Sequence, residues 1–221
     1  MKKISRRTVI KAGIVGGITV LGKAMSFADY LPKLIPTPSE IKGPFYPIVA
    51  QKDKDFDLTR VNGKQTSAKG DVIFVEGRVV DTTGQSVSDT IVELWQACSS
   101  GKYNHPYDPN PAPTDPNFQG WAIVPSGENG SFRFKTVMPG PYPASEGWMR
   151  PPHIHFKVSK RGYIGLITQM YFPGHPLNEK DLLLLRKGKE ERKQMIAKAV
   201  KSELTTFSYQ IVLEKAETLP V

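Results

Sequence analysis

The sequence contains one cysteine, Cys98, and four histidines in 221 residues. A single cysteine excludes an intrachain disulfide framework and any iron–sulfur site built from thiolates. A structural zinc site would need more cysteine or histidine ligands than this chain can spare. Cys98 adjoins an apolar stretch and has no basic neighbour, so we predict a small buried residue and not a nucleophile.

Acidic residues are absent from the first 28 residues, which carry six lysines and arginines. The formal net charge of the whole sequence is +9, but without this segment 24 basic residues face 21 acidic ones, a balance of +3. The basic character therefore belongs largely to the segment. No basic stripe interleaved with aromatic residues remains elsewhere, and we expect no nucleic-acid partner.

The same segment lacks an apolar run long enough to cross a bilayer. Residues 12–22 are apolar, whereas a membrane-spanning helix needs roughly 20 such residues. The charged start, this apolar stretch and the small residues Ser26 and Ala28 follow the order of an export signal. Residues 5–11, SRRTVIK, resemble the twin-arginine signal. We predict a signal over residues 1–28, cleaved near Ala28, and a periplasmic mature protein without stable membrane insertion; an uncleaved helix lying on the membrane is the alternative.

Glycine, proline and aromatic residues are plentiful in the remainder. The sequence has 19 Gly, 19 Pro, 3 Trp, 8 Tyr and 10 Phe, which favours strands and turns over a helical bundle. Prolines between residues 30 and 47 predict an extended arm, because proline interrupts helices. We assign residues 29–70 to this arm and residues 71–221 to one domain.

Apolar and alternating runs predict six strands in this domain. A loop rich in Pro, Asn and Asp spans Ser99–Gln119, and a loop of that length in a compact domain is usually functional. A mixed-charge pattern predicts one helix over Lys180–Ser202. The resulting fold class is mainly β, an antiparallel β-sandwich with long loops and a C-terminal helix. The predicted strands are Asp71–Asp81, Thr90–Ala97, Ser131–Val137, His153–Ser159, Leu166–Phe172 and Thr206–Leu213.

Two of the histidines, His153 and His155, lie two residues apart on a predicted strand. Side chains at i and i+2 point to the same face of a strand, so both imidazoles can reach one metal ion. Arg150 and two prolines precede the pair, and the prolines restrict how the strand begins. A cupin-type site would need a glutamate shortly after the pair, but residues 156–160 contain no carboxylate.

Two tyrosines in special loops are the remaining unusual donors. Tyr103 follows Gly101-Lys102, and Tyr142 lies within Pro139-Gly140-Pro141-Tyr142-Pro143. A tyrosine has a pKa near 10 in water and ionises near neutrality only beside a strong Lewis acid. Ferric iron is such an acid, and two tyrosinates would offset two of its three charges.

Six blocks of the sequence resemble the signature blocks of the intradiol ring-cleaving dioxygenases, in particular the protocatechuate 3,4-dioxygenase type. The blocks are collinear from about Thr37 to Leu177. The resemblance implies a prealbumin-like β-sandwich core. The blocks are Gly43–Pro47, Glu93–Ala97, Gly101–Tyr103, Pro139–Pro143, Arg150–Phe156 and Leu166–Phe172.

The resemblance also implies a site and a reaction. The family inserts O2 between the two hydroxylated carbons of a catecholic substrate and forms a cis,cis-muconate-type product. By the same resemblance Tyr142 would double as a base, Arg150 would stabilise developing negative charge and Gln169 would donate a hydrogen bond. The implied ligands of a non-haem Fe(III) are Tyr103, Tyr142, His153 and His155.

Partner and substrate stay open at the level of sequence. Protocatechuate enzymes of this type generally pair two related subunits, so the resemblance implies a homo-oligomer or a paralogous second subunit. The substrate could be catechol, protocatechuate, hydroxyquinol or a bulkier catechol. Residues 75–96 also resemble prealbumin-like modules, and an exported structural or carbohydrate-binding module without catalysis is the alternative; it would need no iron.

Overall fold

The structure is a computed structural model that describes residues 33–217. The predicted export signal over residues 1–28 lies outside the described residues. Within the described range, no helix is long and apolar enough to cross a membrane.

Ten strands, one short α-helix and two 3-10 helices follow one another along the described chain. The 3-10 helices are Pro176–Lys180 and Leu184–Arg186. The other elements are β1 (Val72–Asp81), β2 (Ile91–Trp95), β3 (Trp121–Pro125), β4 (Ser131–Val137), β5 (Tyr142–Ser145), β6 (Trp148–Arg150), β7 (His153–Ser159), β8 (Leu166–Tyr171), α1 (Lys189–Met195), β9 (Lys198–Val200) and β10 (Thr206–Leu213).

The strands form two four-stranded sheets and a separate hairpin. The first sheet has the order β4-β1-β10-β9 and the second the order β3-β2-β7-β8, while β5 pairs with β6. All pairs are antiparallel except β1 with β10, which run parallel. The predicted β-sandwich is confirmed, with the parallel pair as an addition that strand patterns alone do not predict.

The inner faces of the two sheets share one apolar core. Val75 and Phe134 of the first sheet and Leu94 and Phe156 of the second have no exposed surface and belong to the same buried cluster. Burying such a side chain contributes about 1.5–3 kcal/mol. Because successive side chains alternate across a strand, the residues between these core positions face outward.

Three of the six predicted strands match the observed bounds, and the other three differ by one or two residues at their ends. The sequence does not predict β3, β5, β6 and β9, which have only three to five residues each. Runs this short carry too few alternating positions to be distinguished from loop.

The helix predicted over Lys180–Ser202 is wrong in extent, because the α-helix covers only Lys189–Met195. Upstream, the Asp181 carboxylate accepts hydrogen bonds from the backbone N–H groups of Leu183 and Leu184 at 3.1 and 2.8 Å. These bonds hold a tight 3-10 turn in place of a longer helix. Downstream, β9 pairs with β10, and that tertiary pairing overrides the local helical pattern.

The arm contains neither helix nor strand over residues 33–47. Its backbone crosses from one sheet to the other: the Thr37 N–H donates to the Val212 carbonyl of β10 at 3.0 Å. Farther along, the Ile41 carbonyl accepts a hydrogen bond from the Gln169 side chain of β8 at 3.0 Å. The arm therefore covers part of the outer face of the second sheet.

Candidate metal centre

Polar and aromatic side chains line the outer face of the second sheet. Trp95, His155 and Gln169 lie opposite one another across β2, β7 and β8, and His153 lies opposite Tyr171 in the next row. All five are at most 3% exposed. An outer sheet face is usually solvated, so the burial of this one is provided by the arm and the loops above it.

The four residues predicted as ligands meet on this face. The Tyr103 and Tyr142 rings are 5.4 Å apart between centroids, and the two histidine rings are 4.9 Å apart. Tyr142 lies 5.6 Å from His153, and Tyr103 lies 6.2 Å from His155. Each tyrosine therefore neighbours the other tyrosine and one histidine, which closes a ring of four side chains.

A glycine explains how the two tyrosine loops come so close. Gly101 has a φ of +81°, and a Cβ added there would lie 2.3 Å from the carbonyl oxygen of Pro141. Only glycine fits both the left-handed backbone and the contact. The loop that carries Tyr103 thus lies directly against the backbone that precedes Tyr142.

The Asp108 side chain anchors the loop that carries Tyr103. Its carboxylate accepts hydrogen bonds from the backbone N–H groups of Tyr103 at 2.7 Å and Asn110 at 2.8 Å. The Asn110 side chain donates in turn to the Gly101 carbonyl at 2.9 Å. A loop of this length would otherwise be mobile, and these bonds order the tyrosine it carries.

The donor atoms of the cluster fit a bound metal ion. Tyr103 Oη, His153 Nε2 and His155 Nδ1 are buried and have no hydrogen-bond partner. His153 Nδ1 lies 2.7 Å from the Pro151 carbonyl, to which it donates, so that Nε2 keeps its lone pair. Leaving a buried polar atom unpaired costs about 1–3 kcal/mol. A cation bound by the side chains of this cluster would remove that cost.

Electrostatics favour neutral imidazoles and un-ionised phenols before a metal binds. Burial, reinforced by the Arg150 cation, lowers the pKa of His155 to about 3 and that of His153 well below 6.5. Neutral imidazole is the form that binds metals. Burial raises the pKa of Tyr103 and of Tyr142 above 10. Within residues 33–217 no three His, Cys, Asp or Glu residues group as a metal site, so this centre depends on the tyrosines.

Arg150 and Gln169, both singled out in the sequence, are in direct contact. Arg150 Nη2 donates hydrogen bonds to Gln169 Oε1 at 2.6 Å and to Tyr171 Oη at 3.0 Å. The guanidinium also donates from Nε to Asp181 Oδ2 at 2.6 Å. Sequence reasoning missed Tyr171 and Asp181: the first lies inside the matched Leu166–Phe172 block, but nothing near the second signals a role.

The remaining histidines and the cysteine lie outside the cluster of four. His105 packs against Phe45, with 5.7 Å between ring centroids, and its Nδ1 accepts from the Tyr107 N–H. His175 caps a 3-10 helix by accepting from Leu177. Cys98 is buried, as predicted.

Aromatic rings pack on the centre, and a cavity adjoins it. Trp95 stacks on His155 at 4.8 Å with an interplanar angle of 11°, and Phe45 lies 5.0 Å from Tyr103. A cavity of about 470 Å³ borders the Tyr103 side and shares Phe45, Trp95 and Tyr103 as wall. Arg150 does not line it. This cavity therefore lies apart from the Arg150 side of the centre.

Known proteins match most of the chain. The family model described as dioxygenase matches residues 41–215. The chain is 34% identical over 201 residues to the protocatechuate 3,4-dioxygenase beta chain of Burkholderia cepacia, with 85% of each chain covered. It is 35% identical over 152 residues to a chlorocatechol 1,2-dioxygenase of Cupriavidus pinatubonensis, covering 61% of this chain and 54% of that one.

Solved structures share the fold. The dioxygenase domain of a dioxygenase and carbohydrate-binding fusion protein from Streptomyces sp. SirexAA-E superposes with a TM-score of 0.63 at 25% identity, covering 82% of this chain and all of that one. The 3-chlorocatechol 1,2-dioxygenase of Rhodococcus opacus superposes with a TM-score of 0.65 at 24% identity, covering 86% of this chain and 75% of that one.

Proposed function

We propose a ferric catalytic centre for this chain, which belongs to the intradiol ring-cleavage dioxygenases. The chain is an enzyme that inserts O2 between the two hydroxylated carbons of a catecholic substrate, giving a cis,cis-muconate-type product. One observation carries the ferric centre: a buried cluster of two phenols and two imidazoles in which three donor atoms lack partners. The proposed ligands of the non-haem Fe(III) are Tyr103, Tyr142, His153 and His155.

A bound Fe(III) would supply the Lewis-acid and electron-accepting chemistry that makes a catechol ring reactive toward O2. The side chains around it would accept protons and stabilise charge. Tyr142 Oη, as a phenolate, would take the proton of a catechol hydroxyl. Burial raises the pKa of Tyr142 above 10 although the nearby Arg150 guanidinium opposes that rise, so the phenolate would form only beside the bound ferric ion.

Arg150 would also stabilise negative charge that develops on the substrate. Its cation is permanent, since burial opposes its charge but the neighbouring Tyr171, Tyr142 and Asp181 raise its pKa further. A buried, pre-oriented cation stabilises developing charge more strongly than an exposed one, because no water has to reorganise. Gln169 accepts a hydrogen bond from Arg150 and donates one to the Ile41 carbonyl of the arm. It would therefore hold the guanidinium and the arm in a fixed relative position.

Oxygen uptake tests this function. Iron-loaded protein would be mixed with catechol, protocatechuate, hydroxyquinol and bulkier catechols, and ring-opened products would be identified by mass. We expect one O2 consumed per substrate cleaved for at least one compound, and none with Tyr103→Phe. A folded protein that takes up no iron under these loading conditions and cleaves no catechol would contradict the proposal and favour the non-catalytic module.

The beta-chain relative supports an assembly of more than one subunit. Its name describes one chain of a protocatechuate dioxygenase, and we propose a homo-oligomer or a complex with a related second chain. Sedimentation of the purified protein, alone and with chains co-purified from its host, measures this directly. A fully active monomer would contradict it.

Export by the twin-arginine route is proposed for the first 28 residues. The support is the SRRTVIK stretch, the short apolar run and the small residues up to Ala28. That route carries folded proteins, which suits a protein that acquires its metal before export. N-terminal sequencing of the periplasmic fraction should find a start just after Ala28; a start at Met1 or Lys2 would contradict it.

A further inference from the structure

A buried ion pair joins Arg150 to Asp181, 31 positions along the chain. The Nε to Oδ2 distance is 2.6 Å, and the side chains are 4% and 0% exposed. Removing one partner of such a pair leaves the other charge buried without compensation. This contact therefore holds the Arg150 side chain in one position.

The other Arg150 contacts show which part of the guanidinium stays available. Asp181 takes Nε, while Gln169 and Tyr171 take Nη2. Among the hydrogen bonds within residues 33–217 none involves Nη1, and the guanidinium lies close enough to Tyr142 to oppose the rise in the pKa of that phenol. Because a guanidinium is planar and rigid, bonds at Nε and Nη2 determine the direction in which Nη1 points.

Asp181 is itself held rigidly. Its Oδ1 accepts from the backbone N–H groups of Leu183 and Leu184 at 3.1 and 2.8 Å, and Tyr171 Oη lies 3.3 Å away. One oxygen thus anchors the carboxylate to its own turn, and the other oxygen faces Arg150. Asp181 therefore differs from a carboxylate in a surface ion pair, where both side chains sample many rotamers.

We propose that Asp181 is a positioning residue of the reaction: its Oδ2 fixes the Arg150 guanidinium so that Nη1 faces the substrate. The proposal rests on the proposed function, since it assigns Arg150 to the reacting catechol. Asp181 itself touches neither substrate nor metal in this assignment. Its effect passes entirely through Arg150.

Asp181→Asn distinguishes the roles of the two carboxylate oxygens. The amide Oδ1 can still accept from Leu183 and Leu184, so the turn persists. The amide Nδ2 would meet the Arg150 Nε–H, donor against donor, and the guanidinium would have to turn away. Asp181→Glu keeps the charge with a longer reach and serves as the conservative variant.

Asp81→Asn is the matched control. Asp81 is 1% exposed, accepts from the backbone N–H groups of Thr83 and Gln85 at 2.9 and 3.1 Å, and pairs with Lys215 at 2.9 Å. Like Asp181, it anchors a turn with one oxygen and meets a cation with the other. It lies at the end of β1, in the first sheet, and has no contact with Arg150.

Kinetics of the iron-loaded proteins give the first readout. For Asp181→Asn we expect iron content and the visible tyrosinate absorption of the wild type, a kcat about 10- to 100-fold lower, and a KM for the catechol within about threefold. Asp181→Glu should recover part of the lost kcat, and Asp81→Asn should keep the wild-type kcat. A wild-type kcat in folded, iron-bound Asp181→Asn would overturn the proposal, as would equal losses in both Asp→Asn variants.

Nuclear magnetic resonance of the iron-free protein gives a readout independent of turnover. With ¹⁵N-labelled arginine, the Arg150 Nε–H should exchange slowly in the wild type and in Asp81→Asn, and rapidly in Asp181→Asn. If Asp181→Asn does not fold, Asp181→Glu decides: its kcat should fall in step with the loss of Nε–H protection, and a wild-type kcat with a rapidly exchanging Nε–H would overturn the proposal. Wild-type protein that cleaves no catechol but shows the protected Nε–H would contradict the proposed function and leave the ion pair intact.

Discussion

The outer faces of the two sheets differ sharply although both follow the same alternation of side chains. On the first sheet, Glu76 and Arg133 form a pair 3.6 Å apart whose side chains are 40% and 55% exposed. On the second sheet, His153, His155 and Gln169 are 2%, 3% and 0% exposed. Water can hydrogen-bond to the exposed polar groups of the first face, whereas the buried polar groups of the second face need partners within the protein or a bound ion.

Cover makes the difference. The arm and the loop over residues 99–119 lie on the second face and exclude water from it. Buried polar atoms without partners are rare in folded proteins and call for an explanation such as an ion or a catalytic role. Tyr103, His153 and His155 each carry such an atom on the covered face. The candidate ligands thus lie where a sheet face has been closed by loops, while the outer face of the first sheet, the open face, carries exposed charged residues such as Glu76 and Arg133.

The largest effect should come from removing a donor on the covered face. His155→Ala should abolish iron binding, the visible absorption and turnover, with a loss of activity of roughly 1,000-fold or more. Arg133→Ala on the open face is the control and should leave all three unchanged. Iron analysis and oxygen uptake measure the contrast. Full activity of His155→Ala would remove the distinction between the two faces.

A second test of the difference between the two faces displaces the loop over residues 99–119, which covers the second face. Gly101→Ala would place a Cβ 2.3 Å from the Pro141 carbonyl oxygen and should cost about 2–4 kcal/mol of unfolding free energy. Gly63 has the same φ of +81° but nothing within 4 Å of its added Cβ. Gly63→Ala should therefore cost only the backbone strain, about 1 kcal/mol. Urea denaturation compares them, and equal losses would show that the Pro141 contact contributes nothing.

The smallest effect compares one glutamate from each face. Glu93 of β2 is 4% exposed and accepts hydrogen bonds from Tyr46 and Trp121, both at 2.8 Å, with Lys157 3.1 Å away. Glu93→Gln should lower the unfolding free energy by about 1–2 kcal/mol. Glu76→Gln on the open face should change it by less than about 0.5 kcal/mol. A larger loss for Glu76→Gln would reverse the assignment of covered and open faces.

The sequence predicts the covered face only in part, and for physical reasons. The spacing of His153 and His155 places both on one strand face, because that depends on a local period of two. Tyr103 and Tyr142 could be joined to them only by resemblance, since their approach depends on loop contacts such as Gly101 against Pro141.

Other features depend on contacts between distant segments and leave no local pattern. The parallel pairing of β1 with β10 joins segments more than a hundred residues apart. Asp181 falls in a stretch whose charges and leucines suggest a long helix, but its carboxylate anchors a 3-10 turn and pairs with Arg150. Such partners become visible only when the chain is folded.

Metal loading of the purified wild-type protein tests the central claim most directly. After incubation with ferrous iron in air and removal of excess metal, iron and protein are quantified together and the visible spectrum is recorded. We predict about one iron per chain and a broad tyrosinate-to-iron charge-transfer absorption. A folded, colourless protein that retains no iron would contradict the account.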